Sequence, residues 1–506
     1  MQQLNARLAR TNPELVKDIA PVDVSKLPEK VLQFGEGNFL RGFVDWMIDR
    51  MNRQGLFNGR VVVAQPIARG MGGMLNEQDG LYTLLLHGIQ DGKAVEEKSV
   101  NSCISRCLNL YENYDAYIQL ASNPDLRFVI SNTTEAGIAY NPDDRYDDCP
   151  PSSYPGKLTV FLHKRYEAFK GDPKKGLIVI PCELIEANGK TLRKIVLRLA
   201  KEWKLGDGFT GWLENSCTFM STLVDRIVTG YPRDDAAKYA AQLGYEDKLL
   251  DTAEIFHLWV IEGDKSVAKE FPATEAGLHV IWTDDMTPYR TRKVRILNGA
   301  HTMSVLAAYQ MGFDTVRECV EDKVVGTFMR KAIFEDIIPV LDLPKEELDS
   351  FANAVLDRFD NPYIRHMLMS IALNSTSKFK VRVLPTILDN IHQHHRIPEK
   401  LAFSFASYIT FYRGTELRGG KLVGSRKKDG EYLIADDAYA LEKFASLWKA
   451  YDGTKEGAGK LVASLFADQK LWGEDLNAYE GLCDKVAGYV YRNLTEGVDA
   501  VMRSVL

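Results

Sequence analysis

The sequence predicts an α/β domain built on a largely parallel sheet, followed by a mainly α-helical domain. Two observations carry this. Apolar strand-like runs alternate with helix-like segments through the first half, and after about Asp285 the pattern becomes mostly helical. The length agrees, since 506 residues are too many for one ordinary domain. The change in texture places the boundary near Asp284, giving domains 1–284 and 285–506.

Val31–Phe34 reads as a short buried strand, and Phe34–Phe43 (FGEGNFLRGF) follows it. From Phe39 to Met51, Phe39, Leu40, Phe43, Trp46, Met47 and Met51 recur at helical spacing, with Arg41, Asp45, Asp49 and Arg50 expected outward. Arg60–Ala64 is a second strand and Tyr82–Leu86 a third. Leu126–Ser131 and Leu177–Cys182 continue the apolar strand pattern, with helices expected at Tyr111–Ala121 and Leu158–Phe169. Asn141–Lys157, rich in proline, serine and aspartate, is a loop on composition. Beyond the boundary, helices are expected at Ala300–Gln310, Val324–Ile338, Lys345–Arg358 and Ala438–Tyr451.

Composition narrows the function. Hydrophobic residues make up 45% and charged residues 26%, as in a globular chain. A net charge of −6 gives no basic surface for nucleic acid. No apolar run approaches the ~20 residues a bilayer span requires, and the polar start lacks a signal-peptide core. Seven cysteines without a CxxC pair suggest neither a disulfide framework nor a zinc ribbon, so a reducing cytoplasm is expected. Cys103 and Cys107 lie at helical spacing as two half-buried thiols, and Cys182 closes a strand. His392-Gln-His-His395 has no adjoining carboxylate or thiol set and reads as a polar helix end; no metal is expected.

The glycine pair has a chemical reading. Gly35 would turn the chain sharply from strand to helix, and Gly37 would let backbone approach a pyrophosphate. The helix starting near Asn38 would aim free N–H groups at the phosphates. The third glycine of the fingerprint is replaced by Leu40, and Gly42 would partly restore close packing. An acid is also missing after the second strand, where Gln65 stands with Arg69 nearby. Gln65 would bond a ribose and Arg69 a 2′-phosphate, so residue chemistry leaves cofactor choice open. Asn132–Gly137, with Thr134 and Glu135, follows a strand and either lines the ligand edge of the sheet or forms a polar turn.

Sharper chemistry lies at Arg292–His301 (RKVRILNGAH). On an α-helix Asn298 and His301 would be roughly 60° apart, and Lys293 and His301 roughly 80°. Ketone reduction needs a proton donor and hydrogen-bond donors around the forming alkoxide. Lys293 would be the acid–base, its pKa depressed by burial and the like charges of Arg292 and Arg295. Asn298 would donate to the oxyanion and His301 fix a hydroxyl. The bland alternatives are a solvated lysine, a helix N-cap asparagine and a core histidine.

Lys-x4-Asn-x2-His with GEGNFLRGF resembles the polyol-specific long-chain dehydrogenases, the mannitol dehydrogenase family. VLQFGEGNFLRGFVDWMID, FVISNTTEAGI, IPCELIEANG, STLVDRIVTGYPRD and KVRILNGAHT extend the resemblance over nearly the whole chain. It implies a Rossmann-type N-terminal domain, a helical C-terminal domain, an active site between them, and no metal. Phe34, Gly35, Glu36, Gly37, Asn38, Phe39, Leu40 and Arg41 would form the cofactor loop, joined by Gln65, Thr134 and Glu135. Lys293 would be the acid–base, Asn298 and Asn188 the oxyanion donors, with His301, Asp225 and Lys378 placing the substrate. The closer matches imply NAD and a hexuronate reduced to an aldonate. One departure is informative: the polyol enzymes carry an arginine eight residues before the substrate lysine, where this chain has Ser370. A uronate adds a carboxylate, for which Arg382, Lys380 or Arg226 would be the partner. Rival readings are, first, a sister hexuronate reductase acting on fructuronate, then a mannitol-type polyol dehydrogenase and, from another class, a non-catalytic NAD-binding regulator.

Overall fold

Six parallel strands organise the N-terminal half in the computed structural model, which describes all residues except Asp18, Asp91, Glu135 and Asp429. Their spatial order is Ile104–Asn109, Arg60–Gln65, Glu29–Phe34, Phe128–Ser131, Ile178–Pro181 and Thr218–Phe219. Every neighbouring pair is parallel. In chain order this is 3-2-1-4-5-6, the doubly wound arrangement, with its reversal point between Glu29–Phe34 and Phe128–Ser131. Alternate residues of each strand face opposite layers. Val31, Val61, Val63, Phe128 and Ile130 pack with Phe43, Met47 and Met51 of the helix after the glycine loop. Leu32, Phe34, Val62, Ala64 and Val129 pack with Tyr117, Leu158, Phe161 and Leu192 on the other face.

Two expected features are corrected here. Tyr82–Gln90 is a strand, but it pairs in parallel with Asp251–Glu254 in a separate three-stranded sheet. The third strand of the parallel sheet is Ile104–Asn109, so Cys103 and Cys107 sit at and within a strand, and both are buried. The sheet's edge position explains the missed signal, because Ser105 and Arg106 break the apolar run there. The second correction concerns the helix after the glycine loop. It runs as Asn38–Leu40, a π-wound stretch Arg41–Asp45, then Trp46–Arg53. Arg41, Asp45 and Asp49, expected outward, are all buried. Asp45 accepts from Gln33 Nε2 at 3.0 Å, and Asp49 accepts from Ser102 N at 3.0 Å and Arg53 Nε at 2.6 Å. The π winding alters the helix's phase, which a uniform 100° reading cannot follow.

The chain divides into two compact units, Met1–His87 with Val95–Met286, and Gly88–Ala94 with Thr287–Leu506. The second unit is mainly helical. Gly299–Met311, Lys345–Phe359, Glu399–Phe411, Ala438–Ala450 and Leu482–Thr495 are among its longer helices, beside an antiparallel sheet of Leu417–Arg418, Lys421–Arg426 and Gly430–Ile434. Among the described residues no helix is long and apolar enough to cross a membrane.

Candidate active site

At the reversal point of the sheet, Gly35 takes φ +113°, and a Cβ there would lie 2.8 Å from the Asn132 carbonyl oxygen. Both facts require glycine. Gly37 caps the following helix without a side-chain acceptor and is exposed, so the first N–H groups of the helix have no side-chain cap. That cradle of free donors and absent Cβ atoms fits a pyrophosphate. Leu40 instead packs inward, with Cδ1 3.7 Å from the position of a Gly35 Cβ. Gly42 makes its close approach to Val228, whose Cγ1 is 2.9 Å from where a Cβ would stand, rather than to the parallel sheet.

Within the loop, roles divide by exposure. Asn38 and Phe39 are half-buried. Phe34, Leu40 and Arg41 are buried, so their side chains are not open to a cofactor; Arg41 donates to Leu249 O and to Asn38 Oδ1. Glu36 is also buried and reaches the turn after the second strand, where Met71 N donates to it at 3.4 Å. Burial raises its carboxyl above the ordinary range. Gln65, expected at the ribose, is committed elsewhere: its amide donates to Ile67 O at 2.8 Å and accepts from Gly72 N at 3.0 Å. It shapes the 65–72 turn instead. Thr134 is exposed with φ +85°, a strained position for a β-branched residue. Glu135 lies outside the described residues.

Asn188 opens the helix Asn188–Glu202 and is fully buried. Its Nδ2 donates to Pro181 O and Glu183 O, both at 3.0 Å, and its Oδ1 accepts from Thr222 N at 2.8 Å. A carboxamide has two N–H donors, so none is left for an alkoxide. These bonds tie Ile178–Pro181 to Ser221–Asp225. Asp225 ends that last strand and is buried. Cys182 is buried too, and desolvation pushes its thiol well above the ordinary range.

In the helical unit, Thr287–Arg292 is α-helical, Lys293–Asn298 is π-wound, and Gly299–Met311 is α-helical again. The Gly299 N–H bonds back to Val294 O, five residues earlier. At α spacing Lys293 and Asn298 would point about 140° apart; i→i+5 winding stacks residues five apart on one side. The winding thus turns Lys293 and Asn298 toward the same side of the helix, and both are half-buried. Sequence periodicity had no means of seeing this shared side.

Arg292 and Arg295 were expected to crowd Lys293 with like charge. Arg292 is buried against Glu347, and Arg295 pairs with Asp389 at 3.1 Å while donating to Thr386 Oγ1 at 2.7 Å. Each is neutralised, so neither delivers the expected field. His301, three residues past Asn298, stacks on Phe359 with ring centroids 4.1 Å apart and meets His366 edge-on at 5.1 Å. Burial, then His366, Arg358, Arg382 and Lys378, hold its pKa well below the ordinary value, so the ring is neutral. Among the described residues its Nδ1 is buried without a hydrogen-bond partner. Lys378 donates to Ile371 O at 2.8 Å and Arg382 to Thr302 Oγ1 at 3.4 Å, both from the helix Ser375–Arg382. His366 was missed by sequence reading, because it lies outside any motif. Ser370 is exposed, and its hydroxyl donates to Met367 O at 2.7 Å. His392 and His394 lie in the last turn of Leu384–His394, and His395 follows as its left-handed cap.

Residues 29–275 match the mannitol dehydrogenase Rossmann domain and residues 285–493 the mannitol dehydrogenase C-terminal domain. The chain is similar to altronate oxidoreductase of Escherichia coli O6:K15:H31, 47% identical over 481 residues, spanning 95% of this chain and 97% of that one. The altronate oxidoreductase of Shigella flexneri is equally similar, at 47% over the same shares. Among solved structures, a substrate-free D-sorbitol dehydrogenase superposes with a TM-score of 0.80 at 23% identity, covering 99% of this chain and 100% of that one. Mannitol 2-dehydrogenase of Pseudomonas fluorescens, in a ternary complex with NAD and D-mannitol, gives 0.65 at 21% identity, covering 99% of each.

Proposed function

The chain belongs to the mannitol dehydrogenase family, and from that premise we propose that it is an NAD-dependent oxidoreductase reducing D-tagaturonate to D-altronate, reversibly, in hexuronate breakdown in the cytoplasm. The observation that supports this chemistry is the π winding of Lys293–Asn298, which turns an acid–base candidate and an amide donor toward one side of the helix, three residues before a histidine that burial keeps neutral. NAD, when bound, supplies the hydride.

The chain's own residues do the rest. The Gly35–Phe39 loop holds the pyrophosphate through backbone N–H groups. Lys293 carries a proton on Nζ and delivers it to the substrate oxygen as that oxygen gains charge. Asn298 donates an amide hydrogen to the same oxygen. His301, held neutral, positions a hydroxyl through its ring nitrogens, and Asp225 and Lys378 bind further hydroxyls. Asn188 and Gln65 act at one remove, by shaping the strand ends that carry the site.

A panel of ketoses with NADH, followed at its near-UV absorbance, tests the substrate. D-Tagaturonate should be reduced faster than fructuronate or fructose; a faster fructuronate rate would reassign the enzyme, and no turnover at all would favour a binding protein. Lys293→Ala should abolish turnover while NADH still binds. A variant with full rate would remove lysine from the mechanism.

A further inference from the structure

Around His301 the helical unit assembles His366, Arg358, Arg382 and Lys378, with Asp436 acting on Lys378. Arg382 and Lys378 occupy successive turns of the helix Ser375–Arg382. That helix crosses the Lys293–Asn298 turn so closely that a Cβ on Gly299 would lie 3.3 Å from the Arg382 carbonyl oxygen. Arg382 reaches Thr302 at 3.4 Å, and His366 meets His301 at 5.1 Å. Both Arg382 and His366 are half-buried, and among the described residues neither Arg382 nor Lys378 is ion-paired with a carboxylate. A half-desolvated guanidinium without a counter-charge is costly unless an anion completes its site.

Two other cations have different commitments. Arg226 is buried in the sheet-containing unit, where it donates to Glu254 O and Gly42 O and lies 4.1 Å over the Trp46 ring. Lys380 turns toward Gly473, 3.6 Å from where a Cβ would stand. Ser370 donates to Met367 O and contributes no charge. We propose that Arg382 and His366 form the subsite for the substrate's carboxylate, selecting hexuronates over neutral ketoses and polyols. The guanidinium takes the carboxylate through two parallel N–H···O bonds, and a His366 ring N–H donates to the carboxylate or to the adjoining hydroxyl. The proposal rests on the hexuronate reading above.

Steady-state kinetics on the full chain test it, with D-tagaturonate and fructose as substrates. Arg382→Gln should lower kcat/KM for tagaturonate about 100-fold, chiefly through KM, the loss expected when a charged hydrogen-bonded pair is broken. The fructose rate should change by less than about threefold, since it makes no such pair. Arg382→Lys keeps the charge without the fork and should fall between. His366→Gln should raise KM about tenfold with kcat little changed, and Lys380→Gln should match the parent chain. A fall in kcat at unchanged KM, or equal losses on both substrates, overturns the subsite while the reductase assignment stands. A parent enzyme inert toward every uronate overturns both. If Arg382→Gln does not fold, Arg382→Lys carries the same comparison.

Discussion

Replacing Asn188 with alanine separates two roles for that side chain, a tie within the sheet-containing unit and a donor to the reacting oxygen. Its carboxamide donates to Pro181 O and Glu183 O at 3.0 Å and accepts from Gly189 N at 2.9 Å and Thr222 N at 2.8 Å. Two of these partners have substitutes, for the Thr222 hydroxyl also donates to Pro181 O and the Ile185 N–H to Glu183 O. Gly189 N and Thr222 N would lose this acceptor in the interior. At ~1–3 kcal/mol for each buried group left unmatched, the expected cost is about 2–6 kcal/mol. For a unit of this size that lowers the thermal midpoint by on the order of 10 °C. The assay is a thermal melt of the full chain followed by circular dichroism, paired with turnover measured well below the midpoint. The expected outcome is a lowered midpoint with a low-temperature rate close to the parent's, because a tie that does not touch the reacting atoms removes no transition-state contact. An unchanged midpoint with a rate down ~10²–10³, the loss of one oxyanion donor, would refute the reasoning and restore Asn188 to the oxyanion.

Gly35→Ala places a Cβ 2.8 Å from Asn132 O at φ +113°. Strain of ~1–3 kcal/mol should appear as NADH affinity weakened about tenfold or more by fluorescence titration, and parent-like affinity would argue against this loop as the cofactor cradle. Asp45 has its folded pKa raised by burial from 3.8 to about 7. Between those values the native chain keeps a proton the unfolded chain has lost, so stability falls as pH rises through this window and levels above about 7. Asp45→Asn should flatten part of that decline in denaturation midpoints taken from pH 5 to 8 (roughly the span over which burial-shifted carboxylates titrate); a stability that climbs with pH over the same range in the parent, and climbs less in the variant, would contradict it.

Much of the fold was legible because its signals are local. Val31–Phe34, Arg60–Ala64, Leu126–Ser131 and Leu177–Cys182 are apolar runs of strand length, and each is a strand of the parallel sheet. Ile104–Asn109 was not read because an edge strand with Ser105 and Arg106 lacks that run. Tyr82–Gln90 was recognised as a strand, but which sheet it joins depends on Asp251–Glu254, far along the chain. The small sheet at Leu417–Ile434 is likewise set by pairing rather than by periodicity. At the site, residue types were readable and commitments were not. Nothing in the letters shows that Asn188 and Gln65 use their amides on backbone, that Arg292 and Arg295 meet Glu347 and Asp389, or that His366 stands beside His301.

The π-wound turn also bears on how such chains are compared. A lysine and an asparagine five apart on this turn occupy the same relative phase as a pair four apart on an unbroken α-helix. The wider winding is confined to this stretch, with regular helices, Thr287–Arg292 and Gly299–Met311, on either side of it. Two sequences whose lysine-to-asparagine counts differ by one can therefore present identical chemistry, and two with equal counts need not. Such segments correspond turn for turn, so a one-residue gap between them can reflect a change of winding that leaves the relative phase of the two side chains in place.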